Sequence, residues 1–493
     1  MDGDTENPLG ATVCGGRGVG IPANDMRRAA AAATHAGAPV AGAPPAGAEV
    51  RAIDVGELID SRPLGMYQFL VLGLCLLVVL LDGFDTQTIG FLAPYMARDL
   101  AIPLKLFGPV FGMAPLGMVA SAMIVGPVAD RVGRKRMLIF ATACFGIGSL
   151  LTAQAGTLSA LIFARLVTGI GLGGVLPNVI ALAAEFAPKR HARTCIAVMM
   201  CGLPVGSLLG GLVAAALLPA FGWKAAFHLG GLMPVALALA LAAWMPESVR
   251  YLIARGAPQT RIAHILAAIA PGTPATGVRY VDRDGTRRVA HAGIRAVFTG
   301  GRAVSTVLLW IPYFMNLMLL YFSINWLPAI VAASGHAAAL SLYAITSFNA
   351  GGMLGSLSQG PVMNRFGPGR ALGFQCAITV VYAVVLGLFH TSAIGIVVFT
   401  AMAGYAVVAI QAGLNALTAE IYPTPIRATG VGWALGVGRL GSISGPLLGS
   451  VMIAWHWKPA HIFMAGVVPG LLALAAVVAL SRRQTSSAAS TGV

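Results

Sequence analysis

Gly126-Pro-Val-Ala-Asp130-Arg131-Val-Gly133-Arg134 recurs later in the chain as Gly360-Pro-Val-Met-Asn364-Arg365-Phe-Gly367-Pro-Gly-Arg370. The offset is 360 − 126 = 234 residues. Glu185-Phe-Ala-Pro188 and Glu420-Ile-Tyr-Pro423 lie 420 − 185 = 235 apart, and Gly206 and Gly210 precede Gly441 and Gly445 by the same 235. Three matches at one spacing mark a chain written as two copies of one unit. In each copy a short basic turn joins long apolar runs. Two six-helix halves in parallel repeat are a plan used by secondary transporters, with the substrate site between the halves near the bilayer midplane.

Composition fits halves that sit in a membrane. Hydrophobic residues make up 57% of the chain and charged residues 10%, and the mean hydropathy is +0.82. A soluble domain does not combine so many apolar residues with so few charges. About twelve runs are long enough to cross a bilayer. Their limits are 66–92, 106–128, 137–155, 158–183, 194–218 and 226–245, then 303–331, 341–363, 370–390, 394–418, 429–454 and 461–481. The expected fold is an all-α integral membrane protein of two six-helix pseudo-repeats. Its parts are an unstructured tail over 1–62, a bundle over 63–245, a connector over 246–302, a second bundle over 303–481 and a short tail over 482–493.

The net charge of +15 invites a nucleic-acid reading, but its placement argues against one. Lys and Arg gather in alternate connectors, as in Arg131, Arg134, Lys135, Arg136, Lys189, Arg190, Arg365, Arg370 and Arg427. That bias sets topology and puts both termini in the cytoplasm of an inner or plasma membrane. The six Cys have neither CxxC nor zinc spacing, and no His pair has ligand spacing on a helix, so neither a metal nor another cofactor is expected. Residues 1–62 are rich in Ala, Gly and Pro and cannot bury a core. No basic n-region leads into an apolar one there, so no cleavable signal peptide is expected. Residues 258–270 read as a surface helix and Asp284-Gly285 as a turn.

The chemistry starts in Leu81–Pro94, which reads Leu-Asp82-Gly-Phe-Asp85-Thr-Gln-Thr-Ile-Gly-Phe-Leu-Ala-Pro94. Asp82 and Asp85 are spaced i and i+3, so they share one helix face inside an apolar span. Intramembrane carboxylates are expensive in lipid and belong in a protein interior or a wet cavity. Such a pair can carry a proton, because burial and mutual repulsion make one of them easy to protonate. At about 1.5 Å per residue, Arg165 in the fourth span reaches a depth similar to that of Asp82, which predicts an Asp82–Arg165 pair. Arg439 lies near mid-membrane in the eleventh span, where its guanidinium fork suits a substrate carboxylate. Asn316, Tyr321, Asn325, Ser347, Asn349 and Gln411 are available to read a ring hydroxyl, although each alone is as well explained by an interhelical hydrogen bond. Trp326 reads as an interface anchor.

The repeated connectors are expected to form a cytoplasmic gate. Asp130 or Asn364 can cap a helix N-terminus, and Gly126, Gly133 and Gly367 permit the tight turn. Arg131, Arg134, Arg365 and Arg427 can pair with Glu185 and Glu420, contacts that break when that side opens.

At these residues the chain resembles the major facilitator superfamily, over about 66–481. It resembles more narrowly the aromatic acid:proton symporters. The stretches that carry this are Asp82-Gly-Phe-Asp85, Arg165-Leu-Val-Thr-Gly-Ile-Gly-Leu-Gly-Gly-Val-Leu-Pro177-Asn178, Pro246-Glu247-Ser248, Ile324-Asn325-Trp326-Leu327-Pro328, and Arg427-Ala-Thr-Gly-Val-Gly through Gly438-Arg439-Leu-Gly. The resemblance implies a transporter, not an enzyme, that imports an aromatic carboxylate with protons. The first-span motif leans toward 4-hydroxybenzoate and protocatechuate carriers, and other stretches toward hydroxyphenylpropionate carriers. A monomer acting in the lipid bilayer is expected. One departure is Asn364, where the second loop motif usually has Asp, which removes a charge from that gate. Two other readings remain open at this point. One is a proton-coupled exporter of the same fold, and the other is a non-transporting membrane sensor.

Overall fold

A computed structural model describes residues 51–490, apart from 275–276, 283–293, 336–337 and 389–391. Residues 1–50 of the tail and the expected turn at Asp284-Gly285 lie outside the described residues.

In the first half a short strand β1 (Arg51–Asp54) and helix α1 (Val55–Asp60) lead into α2 (Met66–Asp99), α3 (Phe107–Val132), α4 (Arg134–Gln154) and α5 (Leu158–Phe186). Then come α6 (Lys189–Met200) and the long α7 (Gly202–Trp244). The connector holds α8 (Val249–Ala254), α9 (Gln259–Ile269), β2 (Val278–Val281) and α10 (Arg295–Phe298). The second half is α11 (Ala303–Ala333), α12 (Ala338–Phe366), α13 (Pro368–Leu388), α14 (Ala393–Ile421), α15 (Thr424–Ala454), α16 (Pro459–Met464) and α17 (Val467–Ser490). Among the described residues, ten helical segments are long and apolar enough to cross a membrane. One of them, Lys189–Trp244, is 56 residues long and is broken at Gly222, whose φ is +71°.

The halves repeat in packing as well as in sequence. α7 lies on α2 so closely that a side chain at Gly206 would strike the Leu80 carbonyl, and one at Gly210 the Phe84 carbonyl. In the second half Gly441 and Gly445 of α15 stand in the same way against the carbonyls of Phe314 and Met318 of α11. Only a residue without Cβ lets two backbones approach so far, the usual device for helix contact in lipid. The sequence repeat therefore encodes one helix–helix contact twice.

The core divides unevenly. At one end lie the basic turns; we call it the arginine-rich end. There each half has its own apolar cluster: Val71, Leu138, Phe186 and Leu266 in the first, Leu309, Leu414, Tyr422 and Val477 in the second. At the far end a single cluster joins both halves, taking in Phe91, Phe111, Trp223, Trp326, Ile330 and Phe348. There the halves are sealed together. Trp326 is fully buried, its Nε1–H donates to the Pro446 carbonyl at 2.9 Å, and its ring meets Phe111 edge-on at 5.1 Å. This corrects the expectation of an interface anchor: the indole is an internal seal, and a buried indole needs the acceptor that Pro446 supplies. The Ser450 hydroxyl also donates to the Lys105 carbonyl across the halves.

The tail does not stay unstructured to residue 62. β1 pairs in parallel with β2, with Arg51 opposite Val278 and Asp54 opposite Val281. Asp54 caps α1 by accepting from Gly56 N at 2.7 Å. Asp60 accepts from Lys189 N at 2.7 Å, and the Arg190 guanidinium donates to the Arg62 carbonyl at 3.1 Å. Averaged composition hides the cause, which is local. Val55 and Ile59 are apolar and bury against the cluster that holds Ile262 and Leu266 of α9. That helix is the surface helix expected over 258–270.

Candidate functional site

Asp82 and Asp85 are both buried, at 2% exposure, but they have different surroundings. Asp85 accepts from both terminal nitrogens of Arg165, Nη1 at 3.0 Å and Nη2 at 3.4 Å. The Thr152 hydroxyl oxygen accepts from Arg165 Nε at 3.3 Å and Nη2 at 2.9 Å, and Thr152 donates to the Gly148 carbonyl at 2.8 Å. The Phe227 ring lies 5.5 Å from the guanidinium carbon. The expected Asp82–Arg165 pair is thus corrected: Arg165 engages Asp85, nearly one turn further from the arginine-rich end. A separation of three residues leaves the two carboxylates on one broad helix face but not on one spot, because the helix period is not three. Bidentate pairing of a buried arginine is the strong kind.

Asp82 is left without an ion pair among the described residues. Its contact is the Thr86 hydroxyl, which donates at 3.4 Å. The cation that acts on it is Arg439, from the other half. Arg439 is half-buried on α15 and pairs with no carboxylate among the described residues. Its Nη1 donates to the Tyr321 hydroxyl at 3.0 Å and lies 3.5 Å from Met118 Sδ of the first half. Asp85, Thr86, Met118, Arg165, Tyr321 and Asn325 line one small cavity between the halves. An acid, an unpaired arginine, a phenol and apolar walls therefore meet at mid-depth.

The other polar candidates fall in two further groups. Asn316 donates to the Val407 carbonyl at 3.0 Å and to Gln411 Oε1 at 3.1 Å, tying α11 to α14. Tyr313 extends this ladder by donating to Asn415 Oδ1 at 2.9 Å. Asn316 Oδ1 is buried without a partner among the described residues. Asn349 donates to Gln87 Oε1 across the halves at 3.4 Å and to the Ile345 carbonyl at 3.0 Å. Asn325 returns its amide to the Tyr321 carbonyl at 2.7 Å, and Ser347 shares a bond with Thr400 at 2.7 Å. Asn178 donates to the Gly174 carbonyl at 2.8 Å beside Pro177.

The two basic turns differ. In the first, Arg134 Nε lies 3.1 Å from Glu185 Oε1, and Glu185 also accepts from the Ser248 hydroxyl. Glu247 caps α4, accepting from Lys135 N and Ser248 N at 3.0 Å each. Its carboxylate sits where a side chain on Gly133 would be, and Gly133 has φ +108°. Arg131 contributes its carbonyl, which accepts from the Tyr251 hydroxyl at 3.0 Å. The side chains at Gly126 and Asp130 lie outside the described residues. In the second turn Asn364, Arg365 and Glu420 are exposed, with no ion pair among the described residues. The exposed Arg427 donates to the Tyr422 carbonyl at 3.2 Å. Gly367 keeps the left-handed turn at φ +82°.

Sequence reasoning missed Thr152, Gln87, Met118 and Glu247 as site residues. Glu247 was visible as an acid beside Ser248 after a basic turn. Thr152 and Met118 carried no signal, since threonine and methionine are ordinary in membrane helices.

Known proteins match this arrangement. The Major Facilitator Superfamily profile matches residues 75–395 and 309–493. The 4-hydroxybenzoate transporter PcaK of Pseudomonas aeruginosa is 36% identical over 429 residues, covering 87% of this chain and 96% of its own. A gallate transporter of Pseudomonas putida is 38% identical over 428 residues, covering 87% and 95%. The structure of the xylose transporter XylE from E. coli in a partially occluded inward open conformation superposes with a TM-score of 0.65 at 19% identity, covering 85% of this chain and 98% of that one.

Proposed function

This chain belongs to the Major Facilitator Superfamily, and from that premise we propose that it imports a single-ring aromatic carboxylate together with protons, by alternating access between its halves. The observation that carries this reading is Arg439. It is an arginine at mid-depth, between the halves, with no carboxylate of its own and with Asp82 as the acid within its field. Buried cations need anions. The substrate carboxylate is the missing one, gripped by the guanidinium fork, with Tyr321 beside it and Met118 against the ring. The similarity to transporters named for 4-hydroxybenzoate and gallate supports that substrate class.

Asp82 and Asp85 divide the work. Asp85 stays with Arg165, because protonating it leaves a buried guanidinium without its counter-charge. The proton rides on Asp82, which gives up no ion pair to take it. Protonated Asp82 releases the field of Arg439 to the incoming anion, so proton and substrate enter together. Both charges are then neutral within the site and the halves can rock. Asn316, Asn325, Asn349 and Gln411 supply polar contacts along the route.

The chain crosses twelve times. Lys189–Trp244 makes two crossings around Gly222, and the less apolar α12 adds another by packing on α14. The arginine-rich end and both termini face the cytoplasm of a bacterial inner membrane, and a single chain is the working unit. The far end is then the outer face, shut here by the shared apolar cluster. Arg134, Glu185 and Glu247 hold the inner turn of the first half in shape, and Asp130, Arg131, Asn364, Arg365, Glu420 and Arg427 are the residues that meet when the inner face closes.

Uptake into proteoliposomes tests the reading. Labelled 4-hydroxybenzoate should accumulate under an inward proton gradient, and unlabelled gallate or protocatechuate should compete while xylose does not. Proton-driven loss of preloaded acid instead would mean export. Absence of flux with every acid would end the transport reading.

A further inference from the structure

A second cavity lies immediately outside the far-end seal. It has a volume of about 240 Å³ and is lined by Phe91, Pro94, Tyr95 and Arg98 of α2 and by Pro328, Ala332 and Ser341 of the other half. The seal beneath it is the contact of Gly90 with the Ile324 carbonyl and Asn325. Phe91 and Pro94 follow Gly90 on α2, and Pro328 follows Asn325 on α11, so cavity and seal share their helices. Its walls are mostly apolar and aromatic. Phe91 and Tyr95 form a tilted pair with ring centroids 6.3 Å apart.

Its polar groups are few and mostly free. The Ser341 hydroxyl is spent on the Pro328 carbonyl at 3.0 Å. The exposed Arg98 guanidinium has no carboxylate partner among the described residues, and the Tyr95 hydroxyl has no hydrogen-bond partner among them. The neighbouring Asp99 is engaged by Trp223 Nε1–H at 2.9 Å. A benzene ring is held by a cavity of roughly 150 Å³, so one ring with a carboxylate fits and leaves little spare room. Aromatic walls with one unpaired fork match a planar ring carrying a carboxylate.

We propose that this cavity is an arrival subsite, which holds an aromatic monocarboxylate on Arg98 and against Phe91 and Tyr95 while the outer seal is shut. The inference rests on the import reading above. When the seal at Gly90 and Asn325 parts, the path to Arg439 opens directly beneath the occupant. The subsite concentrates substrate at the gate and so acts on capture, not on the translocation step.

The test uses the full chain in nanodiscs of phosphatidylcholine and saturation-transfer NMR with 4-hydroxybenzoate. With Arg439→Gln removing the central grip, ring-proton transfer should persist, and adding Arg98→Gln should abolish it. Loss of transfer in Arg439→Gln alone, or persistence in the double variant, overturns the subsite. In proteoliposomes Arg98→Gln should lower inward kcat/KM by roughly threefold to tenfold, the scale of a rim charge acting on an on-rate, with kcat kept and Arg98→Lys partly restoring it. A defect seen only in vesicles containing phosphatidylglycerol overturns the proposal by assigning Arg98 to a lipid phosphate. Wild-type protein that accumulates no aromatic acid would instead remove the import reading beneath it.

Discussion

Asn316 stands 316 − 82 = 234 residues after Asp82, Leu319 stands 319 − 85 = 234 after Asp85, and Thr400 stands 400 − 165 = 235 after Arg165. The backbones around these positions pack alike, with Gly206 and Gly441 touching the carbonyls of Leu80 and Phe314. The side chains do not match. The first half holds two acids and an arginine, whereas the second has an amide, an alkyl group and a hydroxyl at the same places. The second half instead presents its charge from Arg439, whose counterpart 235 residues earlier is Pro204. Packing thus follows the repeat while charge departs from it. The departure places an acid in one half opposite a cation in the other, so a charge taken up in the gap acts on both halves at once. Two identical halves would set like charge against like.

The comparison is broken hardest at the buried pair. Asp85→Asn leaves Arg165 buried with only Thr152 and the Phe227 face, and should cost about 3–5 kcal/mol of stability, read as a fall in thermal unfolding temperature in detergent. Asp85→Leu combined with Arg165→Thr copies the second half. It should recover most of that loss, because replacing a buried pair by packed neutral residues is often near neutral. If the double variant is as unstable as the single one, the pair is not what distinguishes the halves. Asp82→Asn likewise copies Asn316 and has a functional signature. It should keep exchange of labelled against unlabelled acid while losing accumulation driven by a pH gradient, and its exchange rate should lose its dependence on pH. Retained accumulation would move the proton to another group.

What could be read from the sequence was whatever repeats or is costly to bury. The glycines at 206 and 441 were legible because a close backbone contact leaves no chemical alternative to a missing side chain. Asp82, Asp85, Arg165 and Arg439 were legible because charges inside an apolar run need a reason. Which acid pairs with which arginine was not legible. Depth along the helix admits both acids, and the choice rests on azimuth, which depends on how α2 is rotated against α5. Trp326 was misread for a related reason: an indole near the end of a span suits an interface or a seal equally, and only Phe111 and Pro446 decide. The ordered stretch from Arg51 was hidden because its strand partner lies more than two hundred residues away at Val278.

The smallest effects are expected at the basic turns, where the comparison is sharpest in sequence and weakest in energy. Glu247 accepts two backbone N–H bonds at the start of α4 and is buried, whereas Glu420 is exposed and has no ion pair among the described residues. A lost cap costs about 1–2 kcal/mol, while a change at an exposed, uncoupled site stays within about 0.5 kcal/mol. Glu247→Ala should therefore lower thermal stability measurably and Glu420→Ala should not. Transport separates two meanings of this asymmetry. If Glu420 works only when the inner face closes, Glu420→Ala leaves stability alone but slows net uptake more than exchange, since net uptake must return the empty carrier through that closed state. Equal slowing of both, or of neither, would make the second turn a topological marker and leave the first turn alone as the inner latch.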